Sequence, residues 1–199
     1  MDILNNIKKP NVFIQIGTND GDDNFRKLII KHKPKKVILV EPNKDLITKI
    51  EKNYNCVKNI CDVQIVNKAV YINDNKEVSL FIPAKNGVYG KKGVQPERKQ
   101  GNHKYTHHHV SLLPMNDWGE KKHMIEIKSN SVTFDSLCQK YNIKDIDYLQ
   151  IDTEGFDSEI IKSIDFNKFN IKTLRYEKWD FDTECFSKYH NENKEKYGI

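Results

Sequence analysis

Short apolar runs alternate along the chain with segments whose apolar residues recur at every third or fourth position. The first run covers residues 12–16, and residues 22–32 then carry Phe25, Leu28 and Ile29 at helical spacing. Further strands are predicted at residues 37–40, 63–72, 77–82, 124–127, 146–151 and 171–176, with 77–82 as a candidate hairpin partner of 63–72, and helices at residues 44–53, 133–141 and 156–164. Strands that alternate with helices of about ten residues indicate a mainly parallel sheet covered on both faces. The pattern therefore predicts an α/β, doubly wound fold.

One segment departs from this pattern. Residues 83–123 hold proline, glycine, lysine and histidine with few aliphatic residues, and they are far longer than the ~4–6 residues that usually connect two elements. Residues 84–118 are therefore interpreted as a long loop or lid. The rest of the chain shows no repeat, no linker and no second domain, so residues 1–199 are predicted to form a single domain.

The composition bears on the cellular location of the protein and on its binding partners. No apolar run approaches the ~20 residues that a membrane span needs, and residues 1–10 lack the apolar core of a signal peptide. We therefore expect a cytoplasmic protein, in the host cytoplasm if the lysine-, asparagine- and isoleucine-rich composition reflects a viral genome. The net charge is +5, but only Arg26, Arg98 and Arg175 are arginines, which disfavours base-specific binding of nucleic acid.

The segment FIQIGTNDG ends the first predicted strand on two glycines, Gly17 and Gly21. Ligands bind beyond the carboxyl ends of parallel strands, and glycines let backbone amides approach a ligand where a Cβ would clash. The spacing is GxxxG and not GxGxxG, which disfavours an NAD site, and alone it also fits an ordinary tight turn. Glu41 ends the next strand, 20 residues past Gly21, and Pro42 then fixes the turn. At this position Glu41 is either a solvated residue before a loop or an acceptor of hydrogen bonds from a ribose diol. Together the turn and the acid indicate a nucleoside-bearing cofactor.

A second group of acids lies in the segment YLQIDTEGFD. The strand delivers Asp152 and Glu154 to one edge of the sheet, where close like charges raise the pKa of one carboxyl group toward that of a general base. The pair could deprotonate a hydroxyl or hold a divalent metal. Asp157 and Glu159 are instead interpreted as acids that complement the dipole at a helix start.

The long loop offers a rival base. The run THHHVS contains His109, and because an imidazole titrates near neutral pH, His109 is a candidate catalytic residue. Adjacent histidines cannot all face one metal ion, and the four cysteines show no CxxC pairing, so no metal ligands are assigned.

Six segments of the chain carry a resemblance to a known family. In chain order these are FIQIGTNDG, VILVEP, IVNKAV, the pair Ser111 and Leu112, SVTFDSL and YLQIDTEGFDSEII. In these segments the chain resembles the FkbM-type S-adenosylmethionine-dependent methyltransferases. The resemblance covers residues 12 to about 177, and its last segment is the most specific. It implies the Rossmann-like fold of class I methyltransferases and methyl transfer to oxygen, often on sugars or sugar-bearing natural products.

The resemblance also implies roles for residues at the matching positions. The implied cofactor-binding residues are Gly17, Thr18, Asn19, Asp20 and Gly21 for the methionine part of S-adenosylmethionine, Glu41 and Pro42 for the ribose, and Asn67, Lys68 and Ala69 for the adenine. Asp152 and Glu154 would lie beside the methyl group and the substrate.

The chain departs from the family pattern in three places. Gln15 stands where the family often has an acid, and Gln150 where it often has a lysine. A glutamine amide can still hydrogen-bond the amino or carboxylate group of the cofactor. Members of the family also tend to end in a helix and an antiparallel hairpin, whereas residues 179–199 suit only a polar helix. The C-terminal hairpin is therefore expected to be missing, and the exposed edge strand favours a homodimer.

The favoured hypothesis is an O-methyltransferase that acts on a hydroxyl of a sugar, a glycan or another hydroxylated small molecule, with Asp152, Glu154 or His109 as the base. One alternative is a catalytically silent module that binds S-adenosylmethionine within a larger assembly. Another is an RNA ribose 2′-O-methyltransferase, suggested by the positive charge and by Lys68, Asp152 and Glu177. Such enzymes typically need a lysine beside the acid at the methyl group, and Gln150 is not one, so nucleic acid is the less favoured partner.

Overall fold

The computed structural model describes residues 10–83, 124–153 and 156–176, and an alternating series of strands and helices fills these ranges. The strands are β1 (Val12–Ile16), β2 (Lys36–Val40), β3 (Asp62–Val66), β4 (Ala69–Val70), β5 (Glu77–Pro83), β6 (Met124–Val132), β7 (Asp145–Ile146), β8 (Tyr148–Ile151), β9 (Asn170–Ile171) and β10 (Leu174–Arg175). The helices are α1 (Asn24–His32), α2 (Ile47–Asn53), α3 (Phe134–Lys140) and α4 (Asp157–Ser163), and a 3-10 turn at Lys44–Leu46 runs directly into α2.

Five strands form one parallel sheet in the order β10-β8-β1-β2-β3. Successive side chains of the central strand β1 point to opposite faces, so Phe13 packs with α1 and α2 whereas Ile14 packs with α3 and α4. The predicted α/β fold with a mainly parallel sheet is confirmed. Because the carboxyl ends of parallel strands share one edge, the segments after β1, β2, β3 and β8 are brought together.

A second sheet, in the order β4-β6-β5, corrects one prediction. The expectation that residues 77–82 pair with residues 63–72 is wrong, because β5 pairs antiparallel with β6. The predicted strand 63–72 is itself broken at a tight turn in which the Lys68 amide donates to the Val66 carbonyl. After this turn, β4 leaves the main sheet and pairs with β6.

The predicted strands 146–151 and 171–176 are each divided in two. β7 and β9 pair with each other, whereas β8 and β10 belong to the main sheet. The buried carboxylate of Asp147, between β7 and β8, accepts hydrogen bonds from the amides of Asn11 and Val12 and from the side chain of Lys172. Burial alone would raise the pKa of Asp147, but these hydrogen bonds outweigh it and the pKa is lowered. Asp147 thereby fastens the start of β1 beside β8.

No helix within the three described ranges is long and apolar enough to cross a bilayer. The lid predicted at residues 84–118 lies outside these ranges, as do residues 177–199, where the hairpin is expected to be missing. The single domain and the homodimer stay predictions.

Candidate functional site

The turn after β1 is folded against the end of β2. Gly17 and Gly21 have φ angles of 82° and 76°, in the left-handed region that favours glycine, and Asn19 between them has a φ of 55°. The amides of Gly17 and Thr18 both donate to the Val40 carbonyl, at 2.9 and 3.1 Å. The turn after β1 therefore contacts the end of β2 through the backbone.

Glu41 follows β2 and is buried beside this turn, with 2% of its surface exposed. Its Oε2 accepts a hydrogen bond from the Asn19 amide at 2.7 Å, and its Oε1 accepts one from the Asn43 amide at 2.9 Å. Burial raises the pKa of Glu41 to about 8, although the two amide hydrogen bonds act in the opposite direction. The interpretation of Glu41 as a solvated residue is thus wrong. Each carboxyl oxygen keeps a second lone pair, so the group can still accept a hydrogen bond from a ligand.

Asp152 follows β8 and lies against the turn after β1. Its amide donates to the Ile16 carbonyl at 2.9 Å. Its carbonyl oxygen lies so close to Gly17 that a Cβ there would be 1.8 Å away, which is far inside van der Waals contact. Glycine at this position is therefore required by the protein's own backbone.

Asn67 joins the end of β3 to the same edge of the sheet. Its Nδ2 donates to the carbonyl oxygens of Glu41 and Pro42, at 2.8 and 3.0 Å. Lys68 forms the following turn, and Ala69 is buried at the start of β4. The residues that the resemblance implies for ribose and adenine are thus neighbours in space.

Three side-chain oxygens near the first turn are buried and have no hydrogen-bond partner among the described residues: Gln15 Oε1, Thr18 Oγ1 and Asn19 Oδ1. Gln15 Nε2 donates to Asp23 Oδ2 at 2.5 Å, which leaves Oε1 as the unpaired end of the amide. An unpaired buried polar group costs about 1–3 kcal/mol, so most are paired in native proteins. These acceptors fit a ligand rich in N–H or O–H donors, such as the amino-acid part of S-adenosylmethionine.

Gln15 and Gln150 account for two of the three expected departures from the family pattern, and they are partners in the sheet. Gln15 on β1 is in register with Gln150 on β8, and Gln150 is in register with Arg175 on β10. Arg175 Nη1 donates to Gln150 Oε1 at 3.5 Å. A lysine in place of Gln150 would offer Arg175 no acceptor, because an ammonium group carries only donors.

Other predicted site residues have different positions. The carboxylate of Asp20 accepts from the Asp22 amide at 3.1 Å and its carbonyl accepts from the Asn53 side chain at 2.8 Å, so Asp20 stabilises the turn itself. Glu154 and His109 lie outside the described residues, and their catalytic roles stay predictions. Within residues 10–83, 124–153 and 156–176, no three His, Cys, Asp or Glu side chains are grouped so that they could hold a metal ion.

Tyr54 is absent from the residues that the sequence predicts for the site, yet it supports the first turn. A Cβ at Gly21 would lie 2.8 Å from the ring atom Cε2 of Tyr54, so the ring packs directly against that glycine. The residue is fully buried, and its hydroxyl has no hydrogen-bond partner in the part of the chain that is described. An aromatic residue directly after the amphipathic segment 44–53 is the only sequence signal for this contact.

Replacing Tyr54 by phenylalanine is expected to leave the free energy of unfolding unchanged or to raise it by about 1 kcal/mol. The change keeps the ring against Gly21 and removes a buried hydroxyl that lacks a partner among the described residues. Urea unfolding followed by circular dichroism measures the difference. Tyr54→Leu is the control, because it removes the ring and should cost about 2 kcal/mol or more. A clear loss of stability in Tyr54→Phe would mean that the hydroxyl is hydrogen-bonded after all.

Comparison with known proteins assigns the chain to a family. The family model described as the methyltransferase FkbM domain matches residues 15–193. No curated protein and no solved structure matches the chain. The matched residues include the turn after β1, Glu41, Asn67 and Asp152, which meet at one edge of the sheet. The chain therefore belongs to the FkbM methyltransferase family and is a methyltransferase by that membership.

Proposed function

We propose that this methyltransferase uses S-adenosylmethionine and transfers its methyl group to a hydroxyl of a sugar, a glycan or another hydroxylated small molecule. The contact between three strand ends carries the proposal. Glu41 accepts a hydrogen bond from the Asn19 amide, and Asp152 lies against Gly17. A ligand seated over this edge would contact the turn after β1, the buried carboxyl group and the corner after β8 together.

The residues at this edge suit the successive parts of the cofactor. The unpaired oxygens of Gln15, Thr18 and Asn19 would accept hydrogen bonds from its ammonium group, Glu41 would accept from its ribose hydroxyls, and residues 67–69 would meet its adenine. When bound, S-adenosylmethionine supplies a methyl group that is already activated on a sulfonium. The chain's own contribution is to hold an acceptor oxygen in line with that methyl group and to remove the proton of the oxygen.

Asp152 is the described residue best suited to act on the acceptor. It is partly exposed, it follows a buried strand, and it adjoins the turn that would hold the cofactor. A carboxylate in this position can accept the proton of a hydroxyl or orient a sugar diol. Glu154 and His109 are the other candidate bases that the sequence predicts.

S-adenosylmethionine labelled in its methyl group is expected to transfer the label to one class of acceptor in a panel of monosaccharides, glycans and sugar-bearing small molecules. Asp152→Asn is expected to lower the rate of transfer by about 100-fold or more, since general-base catalysis typically contributes 10²–10⁴-fold. Binding of S-adenosylhomocysteine, measured by calorimetry, and the melting temperature should change little in the same variant, because asparagine has the shape of aspartate.

Other outcomes separate the alternatives. Binding of S-adenosylhomocysteine without transfer to any acceptor would favour a catalytically silent module. Label in RNA would establish ribose 2′-O-methylation, whereas weak and steeply salt-dependent RNA binding without transfer would exclude it. A protein that binds neither S-adenosylmethionine nor S-adenosylhomocysteine would refute the cofactor assignment.

A further inference from the structure

Asp157 is an ionisable residue that is fully buried, and its Oδ1 binds one neighbour twice. It is the first residue of α4, with 0% of its surface exposed. Its Oδ1 accepts a hydrogen bond from the Thr153 amide at 2.7 Å and another from the Thr153 hydroxyl at 2.5 Å. Because a buried carboxylate is strongly disfavoured unless it is hydrogen-bonded, these contacts hold Thr153 firmly in place.

Asp157 and Glu159 both lie in the first turn of α4, where an acid complements the helix dipole, but only Asp157 is buried. Glu159 is exposed and pairs with Lys162 at 2.8 Å, as expected for an acid in the first turn of a helix. The carboxylate of Asp157 is instead buried and directed to the segment that precedes the helix. Asp157 therefore binds Thr153 in addition to complementing the helix dipole.

Thr153 is joined to the residue that contacts the first turn. The Asp152 amide donates to the Ile16 carbonyl at 2.9 Å, and the Asp152 carbonyl abuts Gly17. Only one peptide unit separates Asp152 from Thr153, and that unit is planar and rigid, so a shift of Thr153 would displace Asp152. The contacts thus run from Asp157 through Thr153 and Asp152 to Gly17.

We propose that Asp157 and Thr153 form a corner clamp, a pair of positioning residues that holds Asp152 toward the sulfonium end of the cofactor without touching the ligand. The inference rests on the proposed function, because it requires S-adenosylmethionine at this edge of the sheet. A carboxylate at Asp152 favours S-adenosylmethionine, whose sulfur is positively charged, over S-adenosylhomocysteine, whose sulfur is neutral. Loss of the corner clamp should therefore weaken binding of S-adenosylmethionine more than binding of S-adenosylhomocysteine.

The test compares Thr153→Val with Thr153→Ser, a matched pair in which only serine keeps the hydroxyl that donates to Asp157. Calorimetry measures the dissociation constants of both ligands well below the melting temperature of each variant. We expect Thr153→Ser to stay within about twofold of the wild type. We expect Thr153→Val to bind S-adenosylmethionine about 10-fold more weakly, the effect of one lost hydrogen bond to a charged group, and S-adenosylhomocysteine less than about threefold more weakly.

Asp157→Ala removes both hydrogen bonds and should change the ratio of the affinities for S-adenosylmethionine and S-adenosylhomocysteine further. If the alanine variant does not fold, the comparison of Thr153→Val with Thr153→Ser still decides the test. Equal affinities of Thr153→Val and Thr153→Ser for S-adenosylmethionine would overturn the corner clamp and leave the cofactor assignment intact. A lower melting temperature with an unchanged affinity ratio would overturn it too, since a purely structural role gives that result. A wild-type protein that binds neither ligand would overturn the proposed function, and the corner clamp with it.

Discussion

Replacing Gly17 by alanine is expected to lower the free energy of unfolding by about 3 kcal/mol or more and to abolish measurable binding of S-adenosylhomocysteine. The φ of Gly17 is 82°, which strains any residue with a Cβ, and the new Cβ would lie 1.8 Å from the Asp152 carbonyl oxygen. The backbone after β1 or the backbone after β8 must therefore move, and both belong to the candidate site. Urea unfolding measures the first effect and calorimetry the second.

Gly21→Ala is the graded control for this prediction. Its φ is 76°, but its Cβ would meet the Tyr54 ring at 2.8 Å, and a side chain yields more easily than a backbone carbonyl. We expect a loss of about 1–2 kcal/mol, close to the cost of a left-handed conformation alone. If Gly17→Ala weakens ligand binding but leaves the stability of the ligand-free protein unchanged, Gly17 serves only to make room for the cofactor and the contact with Asp152 is not rigid.

Glu41 is expected to make the stability of the ligand-free protein fall as the pH rises from about 4.5 to about 8. Its pKa is raised to about 8 in the folded protein, so the folded state keeps a proton that the unfolded state releases above the ordinary value near 4.5. The contribution is fully present below pH 4.5 and is lost as the pH rises through 8. The expected slope is up to about 1.4 kcal/mol per pH unit, measured by urea unfolding across this range.

Glu41→Gln isolates this effect, because the amide does not titrate. Its NH₂ group cannot accept a hydrogen bond, so one of the two backbone amides loses its acceptor, and the variant should be less stable than the wild type at pH 5 by about 1–2 kcal/mol. The difference should shrink or reverse by pH 8, since only the wild type loses stability through the carboxyl group. A difference that is independent of pH would mean that Glu41 titrates at its ordinary pKa. A ribose diol favours the charged carboxylate, so binding of the cofactor would expel this proton.

Much of the fold could be predicted because local patterns determine it. The apolar run at residues 12–16 became β1 with the predicted bounds, and Thr133 caps α3 because its Oγ1 accepts a hydrogen bond from the Ser136 amide at 3.1 Å. The pairing of β5 could not be predicted, because its partner β6 follows it in the chain only after residues 84–123. Alternation of polar and apolar residues identifies a strand but does not identify the strand beside it.

The meeting of Gly17, Glu41 and Asp152 could be predicted, since the carboxyl ends of parallel strands share one edge. The internal contacts of the site could not be predicted. Glu41 accepts hydrogen bonds from two backbone amides, and Asp157 accepts one from the Thr153 amide. These contacts depend on the path of the turns, which the presence of glycines and acids in the sequence does not determine. The ring of Tyr54 against Gly21 likewise requires the packing of α2 on the sheet.

Gln15 and Gln150 are in register on neighbouring strands, so a charge introduced at one position would act on the other. An acid restored at position 15 alone would face the carboxylate of Asp23, which now accepts from the Gln15 amide, and would repel it. A lysine restored at position 150 alone would face the guanidinium of Arg175, which now donates to the Gln150 oxygen. Each neutral side chain is thus matched to a charge that would oppose a charged replacement, and an acid–lysine pair at both positions would have to outweigh both repulsions.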